Sequence, residues 1–595
     1  KRNAIVKKLS SVETLGATTV ICSDKTGTIT KNEMTILDCY LMNIGRRFSV
    51  TGEGYEPRGD ILDEDGRKVG RETLLELKQF FQDGFLASDG RVNPPDEGHL
   101  DWYAIGDPTE AAFCTLALKA GLSPEDLDQR FPRAAELPFD SDRKRMTIVR
   151  EHKGKTIAYM KGAVESVLDV CKIGAGEKAK VLEIAEFYSR KSLRVIGLAY
   201  RDFPRSVKSF SVKKTEENFT FAGFVTMMDP PRAGVAEAIR SAYDAHIKVM
   251  MITGDNAVTA KAIAEKIGLH NGSEGLVVLS GDEIKKMSDA ALSKVLASQS
   301  VVFARVSPDD KYRLVTLLKG MGNVVAVTGD GVNDTLSLKQ SNIGVAMGKL
   351  GSEVAKEAAA IILLDDNFST LVTAIREGRT IFANLRKTVL STITSNNAEL
   401  TCTLLGFIGV VFGLPMPITA VQILAVDLVG EMLPLTALTF DPTGRTVMVA
   451  KPRPLKEHII NRKSLMSLAF YGFWMGVAGF LAFIMVYRFG SGTVASGQTA
   501  AYSAIVLCQF MNILSRRTSL SVFGRYLFSN PKLWWAFLIS SVVIGVMIYV
   551  PSVSVWFGFE GLSLKDWSYV AMGGLVFLGL HEGRKLLFSR VRRVA

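Results

Sequence analysis

Long apolar runs in the last third of the chain constrain its fold more than any other feature of the sequence. A helix of about 20 apolar residues spans the hydrocarbon core of a bilayer, so these runs predict six transmembrane helices. The fourth run is the weakest, because Gln509 and Asn512 interrupt it. Residues 1–380 are charge-rich and predict soluble domains. The six runs lie near residues 388–412, 417–439, 464–487, 500–515, 533–550 and 567–588.

The positions of the Lys and Arg residues relative to the apolar runs indicate what the chain interacts with. A net charge of +11 could indicate a nucleic-acid partner. In the apolar region, however, Lys and Arg concentrate in segments 441–463, 516–532 and 584–593, which flank the runs. This distribution is typical of cytoplasmic loops. We therefore expect a lipid bilayer rather than nucleic acid as the partner. The prediction is a multi-pass plasma-membrane protein with cytoplasmic soluble domains.

Short β-branched runs alternate with helical patterns in the soluble part. This alternation predicts an α/β doubly wound fold with a parallel sheet, in which ligands bind beyond the carboxyl ends of the strands. The runs lie at 19–22, 249–252, 301–304, 324–327, 343–346 and 361–364. About 200 residues separate the first run from the second, which predicts an inserted domain. The predicted domains are residues 1–40 and 216–380 (α/β), 41–215 (insertion) and 381–595 (six-helix membrane bundle).

Three of these runs end in acidic, Gly-containing turns, which should therefore converge on one edge of the sheet. A carboxylate such as Asp24 can attack a phosphoryl group when cations and oriented donors neutralise both partners. Asp330 and Asp334 offer hard oxygen ligands for Mg²⁺. Lys311 offers positive charge to the transferred group. The turns are Ser23–Thr28, Thr253–Asp255 and Thr328–Asp334.

The strings Asp24-Lys-Thr-Gly-Thr28 and Thr328-Gly-Asp-Gly-Val-Asn-Asp334 are similar to the signature motifs of P-type ATPases of the haloacid-dehalogenase superfamily. The resemblance extends over essentially the whole chain and points to the calcium-pump-like, type II group. It implies that ATP phosphorylates Asp24 and that Mg²⁺ binds at Asp24, Thr26 and Asp330. It also implies that the other catalytic residues surround the phosphate: Lys25, Thr253, Gly254, Asp255, Lys311, Asn333 and Asp334.

Thr26 distinguishes the chain from the soluble phosphatases of that superfamily. Those enzymes carry a second Asp two residues after the nucleophile, whereas a Thr hydroxyl cannot activate water at neutral pH. The phosphoenzyme is therefore expected to persist until another group supplies a carboxylate. In the pumps an actuator domain does so through a Thr-Gly-Glu loop. The string Thr51-Gly52-Glu53 has the same residues, but the residues around it resemble a segment of the nucleotide-binding domain rather than that loop. The resemblance thus implies that the actuator domain and the first four membrane helices precede this chain or belong to a second one.

No P-loop sequence is present, so ATP must be bound by other means. Four segments of the predicted insertion are similar to motifs of pump nucleotide-binding domains. The resemblance implies that Phe139 stacks on adenine and that Glu110 and Lys161 line its pocket. Arg194 would meet the phosphates, with Arg143 as a further basic contact; stacking and positive charge both suit a nucleoside triphosphate. The segments are Gly106–Glu110, Pro138–Met146, Lys161–Ala163 and Leu193–Val195.

Acidic residues within the apolar runs indicate a membrane site. Asp427 and Glu431 lie four residues apart, on one face of a predicted helix. A carboxylate at the centre of a membrane helix costs about 2.5–3.5 kcal/mol, so such groups are usually functional. Segments 395–399 and 426–434 resemble the ion-binding helices of calcium and sodium/potassium pumps, although Gly430 stands where calcium pumps carry Thr. The resemblance implies that the cation is bound by Asn396, Glu399, Asp427 and Glu431.

The interpretation that follows is an ATP-driven cation transporter with an aspartyl-phosphate intermediate, Mg²⁺ as cofactor and ATP as substrate. Ca²⁺ is favoured because it prefers several carboxylate oxygens. A Na⁺/K⁺ or H⁺ pump of the same family is the alternative ion specificity. A membrane-anchored phosphohydrolase is disfavoured by Thr26 and the intramembrane acids, and an inactive scaffold by the presence of every phosphorylation-site residue.

Overall fold

The computed structural model describes residues 3–99, 101–204, 210–270, 275–297, 301–444, 446–455, 457–518, 521–524 and 526–594. The chain divides into two compact units. The head unit comprises Lys1–Lys7, Thr19–Tyr243 and Ile247–Val372. The membrane unit comprises Lys8–Thr18, Asp244–His246 and Thr373–Ala595.

All of the described strands lie in the head unit. In chain order they are β1 (Ala4–Val6), β2 (Val20–Ser23), β3 (Thr35–Leu41), β4 (Arg46–Val50), β5 (Ile61–Leu62), β6 (Arg91–Asn93), β7 (Tyr103–Ile105), β8 (Arg133–Asp140), β9 (Arg145–His152), β10 (Lys155–Ala163), β11 (Arg194–Phe203), β12 (Thr220–Met228), β13 (Lys248–Ile252), β14 (Val277–Ser280), β15 (Val301–Ala304), β16 (Val325–Gly329), β17 (Ile343–Met347) and β18 (Ile361–Leu363).

The first sheet has eight strands in the order β1-β18-β17-β16-β2-β13-β15-β14. Its neighbours run parallel except β1, which is antiparallel to β18 at one edge. Strands β2, β15, β16 and β17 are buried along their whole length, as in sheets covered on both faces. The parallel arrangement predicted for the six β-branched runs is confirmed. The sheet is nevertheless mixed, because its edge strand β1 pairs antiparallel with β18. An antiparallel edge strand on an otherwise parallel sheet is common.

The second sheet is antiparallel, in the order β5-β4-β3-β12-β11-β10-β9-β8. It extends from Thr35 to Met228 and interrupts the chain between β2 and β13 of the first sheet. Side chains on β3 alternate between two cores. Cys39 and Leu41 pack in one with Phe81 and Phe113, and Tyr40 packs in the other. The period of two therefore places a helical layer on each face.

The helices, in chain order, are α1 (Leu9–Gly16), α2 (Arg71–Leu86), α3 (Pro108–Lys119), α4 (Pro124–Arg130), α5 (Val164–Leu168), α6 (Ala175–Arg190), α7 (Val212–Thr215), α8 (Val235–Asp244), α9 (Ala257–Lys266), α10 (Gly281–Lys286), α11 (Asp289–Ala297), α12 (Pro308–Gly320), α13 (Thr335–Gln340), α14 (Glu353–Ala358), α15 (Phe368–Val411), α16 (Ala420–Ala425), α17 (Met432–Leu438), α18 (Arg462–Phe489), α19 (Val494–Arg516), α20 (Pro531–Tyr549), α21 (Pro551–Phe557) and α22 (Leu564–Val594).

Three helical segments of the membrane unit are long and apolar enough to cross a bilayer: Ala420–Leu438, Arg462–Phe489 and Pro531–Tyr549. The first of these joins α16 and α17 through a π-helical turn. The other three predicted runs are helical as parts of α15, α19 and α22. Within the described residues they do not meet the same length and composition requirement. The count of six crossings therefore stays a prediction.

Candidate functional site

The three acidic turns meet at the carboxyl edge of the first sheet. Strand β2 lies between β16 and β13, so the turns that follow these strands are neighbours in space. Asp24 follows β2 directly and Asp330 follows β16 directly. Gly27 adopts φ +71° in the turn after Asp24, a left-handed conformation that glycine accepts without steric cost. The topology thus brings the predicted acidic residues to one place.

Both carboxylate oxygens of Asp24 accept hydrogen bonds. Oδ1 accepts one of 2.6 Å from the backbone N–H of Lys25, and Oδ2 accepts one of 2.7 Å from Lys311 Nζ. The backbone N–H of Asp24 donates to Thr328 Oγ1 at 3.0 Å. These bonds fix the carboxylate at the end of the strand. A nucleophile that is already oriented loses less entropy on reaching the transition state.

Lys311 stands in the first turn of α12 and bridges two acids. Its Nζ lies 2.7 Å from Asp24 Oδ2 and 2.8 Å from Asp334 Oδ1. A capping box formed by Ser307 and Asp310 begins the helix and so positions this lysine. Burial opposes the charge of Lys311, but the charges of Asp24 and Asp334 prevail and raise its pKa above the ordinary value. The side chain therefore remains a cation.

The carboxylates of Asp24, Asp330 and Asp334 lie within 4.8 Å of one another. Burial raises the pKa of Asp24, although Lys311 acts to lower it. Burial, together with the charges of Asp24 and Asp334, raises the pKa of Asp330 to about 6. Lys311 pairs with two of these three acids, so negative charge is left uncompensated, and a hard divalent cation offsets such charge. The oxygen donor set therefore fits Mg²⁺.

The acids of this cluster differ in how far they are already engaged. Asp334 Oδ1 is bound to Lys311, and its Oδ2 accepts the backbone N–H groups of Asp330 and Gly331, each at 3.2 Å. Asp334 therefore holds the turn in shape. Asp24 is likewise engaged on both oxygens, which leaves Asp330 as the acid of the three for which no hydrogen bond to the carboxylate is described. The Mg²⁺ set implied by resemblance, Asp24, Thr26 and Asp330, stays a prediction.

Lys25 forms an ion pair of 2.5 Å with Asp255 and lies 3.9 Å from Asp229. Asp229 also accepts a hydrogen bond of 2.5 Å from Thr30 Oγ1. Arg232 Nη2 donates to the carbonyl oxygen of Gly27 at 3.1 Å. The turn after Asp24 is thus held from outside by Asp229 and Arg232, which the motif analysis did not assign to the site. The signal available in the sequence was the rigid Asp-Pro-Pro-Arg string.

The remaining predicted catalytic residues lie in the same three turns. Thr253 is buried, and its Oγ1 accepts the backbone N–H of Asp255 at 3.1 Å. Thr26 is half-buried two residues after Asp24. Gly254 and Asn333 are exposed, so they are accessible to a ligand at this edge.

A second cluster lies on the antiparallel sheet. Lys161 of β10 is buried, and its Nζ lies 3.1 Å from Glu110 Oε1 and 2.9 Å from Ser88 Oγ. Phe113 adds a cation–π contact, with its ring centroid 5.7 Å from the Lys161 Nζ. Burial lowers the pKa of Lys161 to about 8, although Glu110 raises it. Arg194 donates to Thr109 Oγ1 at 2.9 Å, one residue before Glu110. The first turn of α3 thus links Glu110, Lys161 and Arg194.

The other two predicted nucleotide contacts are arranged differently. Phe139 on β8 is 61% exposed, so its ring is free to stack on a ligand. Arg143 donates to Glu216 Oε1 at 2.5 Å and to the carbonyl oxygen of Pro138 at 2.7 Å. Arg143 therefore already has an acidic partner and fixes the β8–β9 hairpin.

The membrane unit contains a cavity of about 480 Å³ that three predicted ion ligands line: Asn396, Asp427 and Glu431. Thr388, Thr392, Thr436 and Thr439 also line it. Glu399 is buried in α15, and within the described residues its Oε1 has no hydrogen-bond partner. An orphaned carboxylate oxygen in protein interior is costly unless a cation or donor compensates it. This acid set fits a cation.

Asp427 and Glu431 do not lie on a regular α-helix. Val426–Glu431 forms a π-helical turn instead. Both acids nevertheless line the same cavity. Turns of this kind are frequent at functional sites. A Cβ at Gly430 would lie 2.9 Å from Val506 Cγ2. A side chain at position 430 therefore requires α19 or Val506 to shift.

Family models of P-type ATPases match two parts of the chain, which thus contains a cytoplasmic domain and a C-terminal domain of that family. Residues 76–234 match the family model described as P-type ATPase, cytoplasmic domain N. Residues 415–587 match the model described as cation transporting ATPase, C-terminus.

Several proteins with similar sequences are named calcium-transporting ATPases. A calcium-transporting ATPase of Bacillus subtilis is 37% identical over 582 residues, covering 96% of this chain and 64% of that protein. Calcium-transporting ATPase 1 of Bacillus cereus is 34% identical, over 98% of this chain and 65% of that protein. Calcium-transporting ATPase type 2C member 1 of Bos taurus is 34% identical, over 95% of this chain and 58% of that protein. The chain thus spans less than two thirds of the length of these relatives.

Proposed function

We propose that the chain forms the phosphorylated and ion-binding part of an ATP-driven cation pump. The observation that carries this proposal is the fixed carboxylate of Asp24, which accepts hydrogen bonds on both oxygens beside Asp330 and Lys311. Such a group is oriented for attack and needs only charge compensation to act as a nucleophile. The proposed head is a haloacid-dehalogenase-type phosphorylation domain with an inserted nucleotide-binding domain.

In the proposed reaction an Asp24 carboxylate oxygen attacks the γ-phosphorus of ATP. The new O–P bond gives an acyl phosphate, while the bond to the β,γ-bridging oxygen breaks and ADP leaves with its electron pair. Lys311 neutralises charge on the transferred group, and the ion pair of Lys25 with Asp255 holds the turn around it. Mg²⁺ held by Asp24 and Asp330 would supply further charge compensation. Thr26 supports a persistent acyl phosphate, because its hydroxyl is not a general base.

Dephosphorylation is proposed to need a carboxylate from an actuator domain. The acids nearest to Asp24 are engaged by Lys311, by Lys25 or by the Mg²⁺ site, so none of these is a free base. The resemblance to the pumps supports a Thr-Gly-Glu loop from elsewhere in the protein as that base.

We further propose that Asn396, Glu399, Asp427 and Glu431 bind the transported cation, with Ca²⁺ favoured. The acid count suits Ca²⁺, which takes six to eight oxygens, and several relatives are named calcium-transporting. Six membrane crossings with cytoplasmic soluble domains remain part of this proposal, supported by the basic segments that flank the helices. The alternative ion is Na⁺ with K⁺, or H⁺.

The test is phosphorylation of the intact protein, including any residues that flank this chain, with ATP labelled on the γ-phosphate. We expect acid-stable, hydroxylamine-sensitive label that Asp24→Asn abolishes. Asp309→Asn is the matched control, because Asp309 is an acid of the first turn of α12 that has no role in the proposed site. Label that survives Asp24→Asn would refute the phosphorylation site. A response of phosphorylation to Na⁺ but not to Ca²⁺ would refute Ca²⁺ as the transported cation.

A further inference from the structure

Three polar residues follow one another along helix α19 at spacings of three and four, which places them on one face. They are Gln509, Asn512 and Arg516; the first two are fully buried. Arg516 Nε donates to Asn512 Oδ1 at 2.7 Å, and Asn512 Nδ2 donates to Gln509 Oε1 at 2.9 Å. Gln509 Nε2 in turn donates to Glu431 Oε2 at 2.5 Å. A continuous chain of hydrogen bonds thus runs from Arg516 to an acid of the ion cavity.

The direction of this chain is set at Arg516. An amide side chain can turn either its oxygen or its NH₂ group toward a neighbour, but a guanidinium can only donate. Asn512 must therefore present its oxygen to Arg516, and its NH₂ group then faces Gln509. Gln509 must present its oxygen to Asn512, so that its NH₂ group faces Glu431. Arg516 is itself fixed by a bond of 2.9 Å from Nη2 to Thr394 Oγ1.

The orientation of Gln509 matters for a cation. Calcium and similar cations are bound by oxygen, so an N–H group directed at the site supplies no ligand. The same N–H group also occupies Oε2 of Glu431. The second N–H of Gln509 donates to the carbonyl oxygen of Ser391 at 3.2 Å, which further resists rotation. Buried and fully connected networks of this kind specify one arrangement.

We propose that Arg516 is a specificity-determining positioning residue, which holds Gln509 as a hydrogen-bond donor to Glu431 and keeps the Gln509 oxygen out of the cation shell. This inference rests on the proposed function of the Glu431 cavity. Without a donor-only group at position 516, Asn512 can rotate, and only the bonds from Gln509 to Ser391 and Glu431 then hold its NH₂ group in place. Gln509 can therefore turn more easily and offer an oxygen to the cation.

The experiment compares variants of the intact protein in the Ca²⁺ dependence of Asp24 phosphorylation and in direct binding of radiolabelled Ca²⁺, Na⁺ and K⁺. Arg516→Met is expected to lower the Ca²⁺ concentration for half-maximal response about tenfold, a change of about 1.4 kcal/mol. The maximal phosphorylation should not change. Arg516→Lys, which also only donates, should retain the wild-type Ca²⁺ concentration. Arg516→Gln, which can accept as well as donate, should shift in the direction of Met and replaces it if the Met variant does not fold.

Loss of positive charge alone could also strengthen cation binding, and the Gln509→Leu background separates the two causes. If orientation of Gln509 is responsible, Arg516→Met has no further effect in that background. A shift of equal size there would overturn the inference, as would an Arg516→Lys shift as large as that of Met. Unchanged cation binding in Arg516→Met, with normal binding by the wild type, also overturns it. A wild-type protein that binds none of these cations would instead overturn the proposed transport function, and the role of Arg516 with it.

Discussion

Raising the pH from 7 to 9 is expected to weaken ATP binding about tenfold through deprotonation of Lys161. This lysine is 6% exposed, and burial lowers its pKa to about 8 against the opposing effect of Glu110. Its nitrogen faces Glu110 and Ser88 at 3.1 and 2.9 Å. Asp107 and Glu136 are the other charged groups that act on it.

The magnitude follows from the fraction of charged lysine. With a pKa of about 8, about nine tenths of Lys161 is protonated at pH 7 and about one tenth at pH 9. If ATP binds the form that carries the charge, the apparent Kd rises by the same factor, which is about 1.4 kcal/mol. A phosphate monoester completes its ionisation near pH 6, so the charge of the nucleotide changes little over this range.

The assay is calorimetric titration of the intact protein with ATP at pH 7, 8 and 9. Lys161→Arg keeps a cation at every pH and should flatten the profile. Lys119→Arg is the matched control, because burial also lowers the pKa of Lys119 to about 8. Its Nζ donates to the carbonyl oxygens of Thr51 and Gly52, outside the cluster. A wild-type Kd that is constant from pH 7 to 9 would refute the reasoning, and so would an unchanged profile in Lys161→Arg.

Two further predictions concern stability. Burial raises the pKa of Asp83 from 3.8 to about 7, so its protonated form stabilises the fold below about pH 4, and that stability is lost as the pH rises to about 7. Asp83→Asn can keep the 2.9 Å hydrogen bond from Gln79. It should raise the unfolding free energy by up to about 4 kcal/mol at pH 8 and by little at pH 4. Denaturant unfolding measures both values, and equal effects at the two pH values would contradict the prediction. Gly430→Ala should cost about 1–3 kcal/mol by overpacking against Val506, seen as a lower melting temperature in detergent. Val506→Ala should restore it, and an unaltered melting temperature in Gly430→Ala would show that the turn yields.

Local sequence patterns were sufficient for much of the head unit. Buried parallel strands consist of continuous β-branched runs, and acidic turns after β2, β13 and β16 mark the ligand edge. The antiparallel edge strand β1 could not be predicted, because three residues carry no periodicity and their pairing with β18 is a long-range contact. Likewise, the support of the Asp24 turn by Asp229 and Arg232 depends on residues about 200 positions away, whose approach only the topology decides.

The surroundings of the membrane acids were predicted less completely than the acidic turns around Asp24. Acids within long apolar runs are conspicuous in the sequence, so Glu399, Asp427 and Glu431 could be identified as candidates. The π-helical turn could not, because its residues have the same apolar spacing that a regular α-helix would have. In the sequence the two amides of α19 are recognisable as interruptions of an apolar run and as the polar groups that the fourth predicted helix offers. Their role depends on the direction of the hydrogen bonds, which no pattern of residue types specifies.

The two carboxylate sites differ in what compensates their charge, and this difference bears on what each can bind. Around Asp24, Lys25 and Lys311 are fixed ion-pair partners of acidic residues, so the proposed Mg²⁺ ion would need to offset only the remaining charge of Asp24 and Asp330. Along the α19 hydrogen-bond chain, only the neutral amide of Gln509 contacts Glu431, and the guanidinium of Arg516 acts through two amides. Dipoles compensate a carboxylate less fully than a cation does, so the proposed transport function requires the membrane acids to take a cation from solution. Under that proposal, Arg516 adjusts which cation binds, by deciding whether Gln509 presents hydrogen or oxygen to it.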